Sequence, residues 1–272
     1  ILGHEFCAEV VDYGPNTERS VAPGQLVCAA PVLLREPMEP VGYSDKIPGG
    51  FAQYMLLSES LIVPVPSGCN ADLAALTEPM AVGLHAVNKA QLSAKETILI
   101  IGAGPVGLAI ITALKQINTG PIIVSDFSPG RRKLAEAIGA DIVIDPSDTD
   151  PYQEAALRKR EGVVIFECVG IPGMIDQIFL GAPKNAKIMI VGVCLQQDYI
   201  RPLIAINKEL SLHFMLGWSM EEFTQSLRYI AEGKFNVAPL ITGRTSLDGV
   251  ASTFESLATP NDQAKVLVKP WD

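Results

Sequence analysis

Hydrophobic and polar positions divide the chain into two regimes. From Lys95 onward, short apolar runs alternate with stretches of helical period. The pattern predicts strands at about 97–101, 121–126, 141–145, 163–169, 187–193 and 210–216. Helices are expected at 106–117, 129–138, 151–160 and 172–181, while the connection 194–209 is less clearly helical. This alternation builds a parallel sheet with helices on both faces, and six strands complete a doubly wound α/β domain. Ser128-Pro129 reads as a helix start, a capping hydroxyl followed by proline in the first turn, and Gly139 as its stop.

Residues 1 to about 91 read instead as short strands and proline- or glycine-marked turns, an irregular β domain. Gly3 to Gly14 is strand-like, Val21 to Ala30 leads to a second strand, and Gly49 to Leu57 reads as a third. Arg35-Glu36-Pro37-Met38-Glu39-Pro40 is too rich in proline for regular structure and reads as a surface loop. Asn70 to Ala90 is helical in pattern, as two helices broken near Pro79. After a helix at about 220–232, the closing strand Ala264 to Pro270 is expected to rejoin the β domain.

The organising stretch is Ile98-Leu99-Ile100-Ile101-Gly102-Ala103-Gly104-Pro105-Val106-Gly107-Leu108. Its apolar run suits a strand buried on both faces, and the glycines turn it into a helix. Gly102 permits the turn, Gly104 lets backbone approach a pyrophosphate at the positive helix end, and Gly107 lets helix and strand pack closely. Pro105 loses no amide hydrogen bond in the first turn. Nineteen residues after Gly107, the next strand ends on Asp126, where a carboxylate accepts from ribose hydroxyls and repels the 2′-phosphate of NADP. The reading is therefore an NAD site.

Composition narrows the classes. The chain has 272 residues, 48% apolar and 19% charged, which describes a folded protein rather than a disordered one. A net charge of −9 argues against nucleic acid or an anionic membrane as partner, and no run of 18 uninterrupted apolar residues occurs. The five cysteines, Cys7, Cys28, Cys69, Cys168 and Cys194, form no C-x-x-C pair, and four lie in apolar runs. That usage suits a reducing compartment, the cytoplasm. No signal peptide precedes Ile1, there is no initiator Met, and the chain opens inside a motif-like stretch, so an upstream segment is expected.

Candidate chemistry concentrates at three histidines and their neighbours. His4 precedes Glu5 directly, and Glu78 stands in the otherwise apolar segment Leu76 to Gly83. One His and two Glu can bind zinc and leave a position open for water or substrate. A satisfied core histidine and a helix N-terminal glutamate explain the same residues. His85 reads as a packing residue and His213 as an edge or interface residue. Arg131 either covers the adenosine or a phosphate, or is solvated beside Arg132.

Taken together, Gly3-His4-Glu5-Phe6, Pro23-Gly24-Gln25-Leu26-Val27, Gly49-Gly50-Phe51-Ala52-Gln53-Tyr54, Glu78-Pro79-Met80-Ala81-Val82, the glycine motif with Asp126, and Lys265-Val266-Leu267-Val268 resemble the zinc-dependent medium-chain alcohol dehydrogenases. The resemblance runs the length of the chain and is nearest to the sorbitol, butanediol and threonine dehydrogenase group. It implies a GroES-like catalytic domain, here 1–91 and 219–272, interrupted by a Rossmann NAD-binding domain at 92–218. It also implies that His4 is a catalytic zinc ligand, Glu5 a ligand or its close neighbour, and Glu78 a further ligand, direct or through water. Asp126 and Arg131 would hold the adenosine ribose, and Val191-Gly192-Val193 and Leu216-Gly217 would lie along the nicotinamide half.

The family's first zinc ligand, a cysteine near a proton-relaying hydroxyl, would fall upstream of Ile1. Its four-cysteine structural zinc lobe would fall between Val27 and Gly49, where only Cys28 occurs, so no structural zinc is expected. The implied reaction is reversible hydride transfer between a secondary alcohol or polyol and NAD. The apolar strand Leu210 to Leu216 is expected to pair with its copy in a second subunit, giving a homodimer or homotetramer. The alternatives are a zinc-independent quinone or enoyl reductase and a nucleotide-binding protein without catalysis.

Overall fold

The computed structural model describes residues 2–117, 119–258 and 261–272. Two compact units divide the chain: residues 1–81, 218–259 and 265–272 form the first, and 82–217 with 260–264 the second. This division falls within a helix, upstream of the expected boundary at residue 91.

In the first unit, β1 (Ala8–Glu9), β2 (Leu26–Ala29) and β5 (Ile62–Pro64) make a three-stranded antiparallel sheet ordered β1-β2-β5. A second pair, β3 (Val32–Leu33) and β4 (Glu39–Pro40), stands apart from it and takes in the end of the proline-rich stretch. Small apolar clusters hold this unit. One gathers Phe6, Ala29, Leu33, Val41 and Ile47, and another gathers Cys28, Val65, Ala74, Ala81, Phe223 and Leu227. Among the described residues, Gly49 to Leu57 contains no strand, contrary to the pattern. Gly49 is pressed against backbone instead: a Cβ there would lie 2.5 Å from the Gly3 carbonyl and from the Gly42 Cα. Gly50 and Phe51 donate their amides to Gly3 and Leu2 at 2.7 and 3.0 Å, so this segment braces the chain just before His4.

Asn70 to Ala90 forms α1 (Ala71–Ala74) and α2 (Thr77–Ala90). The break comes at residues 75–76, and Pro79 lies inside the first turn of α2. A proline is tolerated there because the first-turn amides have no intrahelical acceptor to lose. Glu78 and His85 therefore share one uninterrupted helix.

The second unit is a parallel sheet of β6 (Thr97–Ile101), β7 (Ile122–Ser125), β8 (Ile142–Ile144), β9 (Val163–Glu167), β10 (Lys187–Ile190) and β11 (Ser211–Phe214). Its order is β11-β10-β9-β6-β7-β8, with every neighbouring pair parallel. Helices α3 (Pro105–Leu114), α4 (Pro129–Ile138), α5 (Pro151–Leu157), α6 (Met174–Gly181) and α7 (Pro202–Lys208) connect the strands. The connection that lacked a clear helical period thus contains α7, a seven-residue helix too brief for the pattern to declare. All five residues of β6 and of β9 are buried, which each apolar side chain favours by about 1.5–3 kcal/mol. Ser128 caps α4 by accepting the Arg131 amide at 3.1 Å, and Gly139, at φ 115°, stops it.

The first unit closes with α8 (Met220–Ala231), β12 (Ile241–Ser246), α9 (Val250–Leu257) and β13 (Lys265–Lys269). A capping box between Ser219 and Glu222 starts α8. Strand β13 pairs in parallel with β12, not with the strands of the first ninety residues; what reaches those residues are its lysines, Lys265 to Glu5 and Lys269 to Asp72. No helix among the described residues is long and apolar enough to cross a membrane.

Candidate functional site

Among the described residues, one group of three metal-capable side chains comes together: His4, Glu5 and Glu78 offer donor atoms all within 4.8 Å of one another. Two segments far apart in sequence deliver them. The braced backbone of Leu2 and Gly3 sets His4, whose imidazole stacks on Tyr43 with ring centroids 4.6 Å apart. Glu78 is set by the start of α2. Thr77, buried beside it, donates its hydroxyl to the Ala74 carbonyl at 2.7 Å, and the Cys28 thiol donates to the same carbonyl at 3.2 Å.

The local electrostatics are unusual for so apolar a setting. Burial pushes the Glu78 carboxyl up, and the nearby charge of Glu5 adds to it. Opposing this, Trp218 donates its indole N–H to Glu78 Oε1 at 2.9 Å, and His4 and Lys265 add positive charge. His4 Nε2 stands 3.9 Å from Glu78 Oε2. Lys265 Nζ donates to both oxygens of Glu5, at 2.7 and 2.5 Å. Burial, then Glu78 and Glu5, also push the Tyr43 hydroxyl up. An imidazole and a largely desolvated carboxylate at this spacing fit a cation with nitrogen and oxygen ligands, because the ion would offset both the desolvation of Glu78 and its repulsion from Glu5. Glu5 is already neutralised by an ammonium, which leaves His4 and Glu78 as the readier donors. His85 is outside this group.

In the second unit, the turn after β6 has the features its sequence promised. Gly102 adopts φ +97°, and a Cβ on Gly107 would lie 2.0 Å from the Gly102 carbonyl oxygen. At Gly104, which caps α3, a Cβ would meet nothing within 4 Å. Pro105 and Val106 open α3, whose first amides have no side-chain cap at Gly104. Strand order reverses between β6 and β9, and Gly102 and Val169 meet at that switch point. Asp126 directly follows β7, its Oδ2 accepting from the Ala103 amide and its Oδ1 from the Ser128 amide, both at 2.8 Å. Arg131 lies in the first turn of α4, its Nε buried without a hydrogen-bond partner. Val191-Gly192-Val193 follow the carboxyl end of β10, and Leu216-Gly217 follow that of β11.

Three residues that the sequence pattern did not single out belong to these settings. Trp218 and Lys265 hold the two carboxylates just described. The third is Glu167, 1% exposed at the end of β9, whose Oε1 accepts from the amides of Val169 and Gly170 at 2.7 and 2.8 Å. A charged residue closing the all-apolar run Val163-Val164-Ile165-Phe166 was its visible signal.

A doubly wound sheet with this strand order and this glycine turn is the fold class that binds dinucleotides across its switch point. Residues 1–67 match the alcohol dehydrogenase GroES-like domain, and residues 105–232 match the zinc-binding dehydrogenase family. The chain is 32% identical to (R,R)-butanediol dehydrogenase of Bacillus subtilis over 282 residues, covering 99% of this chain and 80% of that protein. The crystal structure of the Bacillus subtilis 2R,3R-butanediol dehydrogenase superposes with a TM-score of 0.86 at the same coverage. Sorbitol dehydrogenase of Bacillus subtilis is 28% identical, over 99% of this chain and 81% of its own. A zinc-binding dehydrogenase fold from Sinorhizobium meliloti, solved with NADP, is 27% identical with a TM-score of 0.85, over 99% of this chain and 83% of its own. The chain belongs to the zinc-type medium-chain alcohol dehydrogenase family.

Proposed function

We propose that this protein is a zinc-dependent dehydrogenase that transfers a hydride between a secondary alcohol or polyol and NAD. The observation that carries the reading is the convergence of His4, Glu5 and Glu78 to within 4.8 Å in a member of this family. Butanediol and sorbitol dehydrogenases among its relatives support a small polyhydroxylated substrate.

His4 and Glu78 would hold the ion, with Glu5 as a third ligand or its close neighbour. A zinc ion held there would supply Lewis acidity to the substrate oxygen and ease loss of its hydroxyl proton. Lys265 donates to both oxygens of Glu5 and tempers the negative charge of the donor set, while Trp218 orients the Glu78 carboxylate by its 2.9 Å hydrogen bond. On the coenzyme side, Gly102, Gly104, Pro105, Val106 and Gly107 shape the turn that receives the pyrophosphate at the N-terminus of α3. Asp126 and Arg131 hold the adenosine ribose, and Val191, Gly192, Val193, Leu216 and Gly217 border the nicotinamide half. The lone Cys28 in the interval 28–48 supports one catalytic zinc and no structural zinc, and cysteines without C-x-x-C spacing fit the cytoplasm.

Metal analysis of the purified protein, with turnover measured before and after chelation, tests the reading. His4→Ala is expected to lose bound zinc and to lower kcat by roughly a hundred-fold or more while NAD binding persists. Asp126→Ala is expected to weaken NAD binding and leave zinc content unchanged. Full turnover by metal-free protein would reject the mechanism.

A further inference from the structure

Coenzyme choice in this fold is usually argued from the acidic residue at the end of the second strand, here Asp126. The structure sets a second carboxylate beside it. Residues 261–264 pack with the second unit, although the segments on either side of 260–264 belong to the first. Within them, Asp262 Oδ1 accepts from the Ser128 hydroxyl at 2.8 Å and from the Gly130 amide at 3.2 Å. Ser128 is the residue whose own amide donates to Asp126 at 2.8 Å. The two carboxylates are therefore joined through a single residue at the N-terminus of α4. Gly130 accommodates the arrangement, since a Cβ there would lie 2.1 Å from the Asp262 carboxyl carbon.

We infer that Asp262 is a specificity-determining residue, a second negative charge that excludes the 2′-phosphate of NADP; the inference rests on the assignment of the ribose to Asp126. The charges facing that position are opposed. A 2′-phosphate next to the ribose hydroxyl would meet the Ser128 hydroxyl, the first-turn amides of α4 and Arg131, a donor set that by itself favours an anion. Asp262 takes the Ser128 hydroxyl and the Gly130 amide as its own donors and sets a negative charge among them. Arg132 is turned to other partners, its Nη1 donating to the carbonyls of Asp126 and Phe127 and pairing with Asp145. With Asp262 in place the N-terminus of α4 is already satisfied by a carboxylate, and a dianionic phosphate must displace it or face it.

The test is the ratio of the NADPH and NADH dissociation constants, read by fluorescence titration of wild-type protein, Asp262→Asn and Asp262→Ala. Asparagine keeps an oxygen for Ser128 and Gly130 and removes only the charge. Because Asp262 is exposed and solvent screens it, the expected effect is a fall in the NADPH:NADH ratio by about five-fold in both variants. Raising the ionic strength should narrow the ratio in wild-type protein more than in Asp262→Asn. A ratio unchanged within two-fold in Asp262→Asn, at retained melting temperature, overturns the inference. A shift in Asp262→Ala alone also overturns it, since that would be the lost cap rather than the charge. Wild-type protein that prefers NADPH would overturn the NAD assignment itself, a result distinguishable from either.

Discussion

At the scale of single residues, this chain places carboxylates where their surroundings decide their charge. Asp72 is the clearest case outside the candidate metal centre. Burial pushes its carboxyl up, but hydrogen bonds from Lys269 and Arg244 outweigh that and hold it below the usual aspartate value. A carboxyl with a depressed folded-state pKa stabilises the fold above its unfolded value, near pH 4, and loses that contribution as pH falls through the lower folded value. Asp72→Asn is therefore expected to cost about 1 kcal/mol at neutral pH, discounted for the partly exposed lysine and arginine. Urea unfolding at neutral pH and again near pH 3 checks this, since the difference between the proteins should shrink in acid. The same residue-scale logic governs what was legible in the sequence. His4, Glu5 and Glu78 stood out because charged or titratable groups were embedded in apolar stretches. Trp218, Lys265 and Tyr43 did not, because an indole, a lysine and a tyrosine next to strands and helices are ordinary in any sequence.

At the scale of elements, the tightest constraint is the turn between β6 and α3. The Gly102 carbonyl that a Cβ at position 107 would strike at 2.0 Å is backbone and cannot swing aside. Gly107→Ala is expected to displace α3 from the sheet, lowering stability by roughly 2 kcal/mol or more and weakening nicotinamide-coenzyme binding together with it. Calorimetry and coenzyme titration of the variant check both, and full retention of either would show that the turn yields. Helix α2 carries the complementary lesson. Proline suggested a break near position 79, yet the break comes two residues before Thr77, where Thr77 takes up the Ala74 carbonyl and Pro79 falls in a first turn that needs no amide donors. The residue type was a sound signal for the presence of an interruption, and its exact place depended on which carbonyl a neighbouring hydroxyl could reach.

At the scale of the whole molecule, one edge of the six-stranded sheet is β11. Phe214 and Leu216 on and just after it are 69% and 92% exposed. An apolar edge of this kind is a hazard unless something covers it, and we propose, as the sequence leads us to expect, that the cover is the same strand of a second copy. Phe214→Asp is expected to convert a dimer or tetramer into smaller species in light scattering after gel filtration. An unchanged mass would move the interface elsewhere.

The sequence by itself determined the doubly wound sheet and its glycine turn. Each strand is specified by a contiguous apolar run, and each turn by residues that are neighbours in the chain, so local pattern suffices. It also named the three side chains that meet at the candidate metal centre, through their isolation among apolar residues and a family likeness. Only the tertiary structure decided that Gly49 to Leu57 braces the backbone before His4 rather than forming a strand, and that β13 pairs with β12. It alone brought Lys265 to Glu5, Trp218 to Glu78 and Asp262 to Ser128. Those pairings join residues more than a hundred positions apart, and long-range contacts of that kind are set by packing, for which no periodicity along the chain is a record.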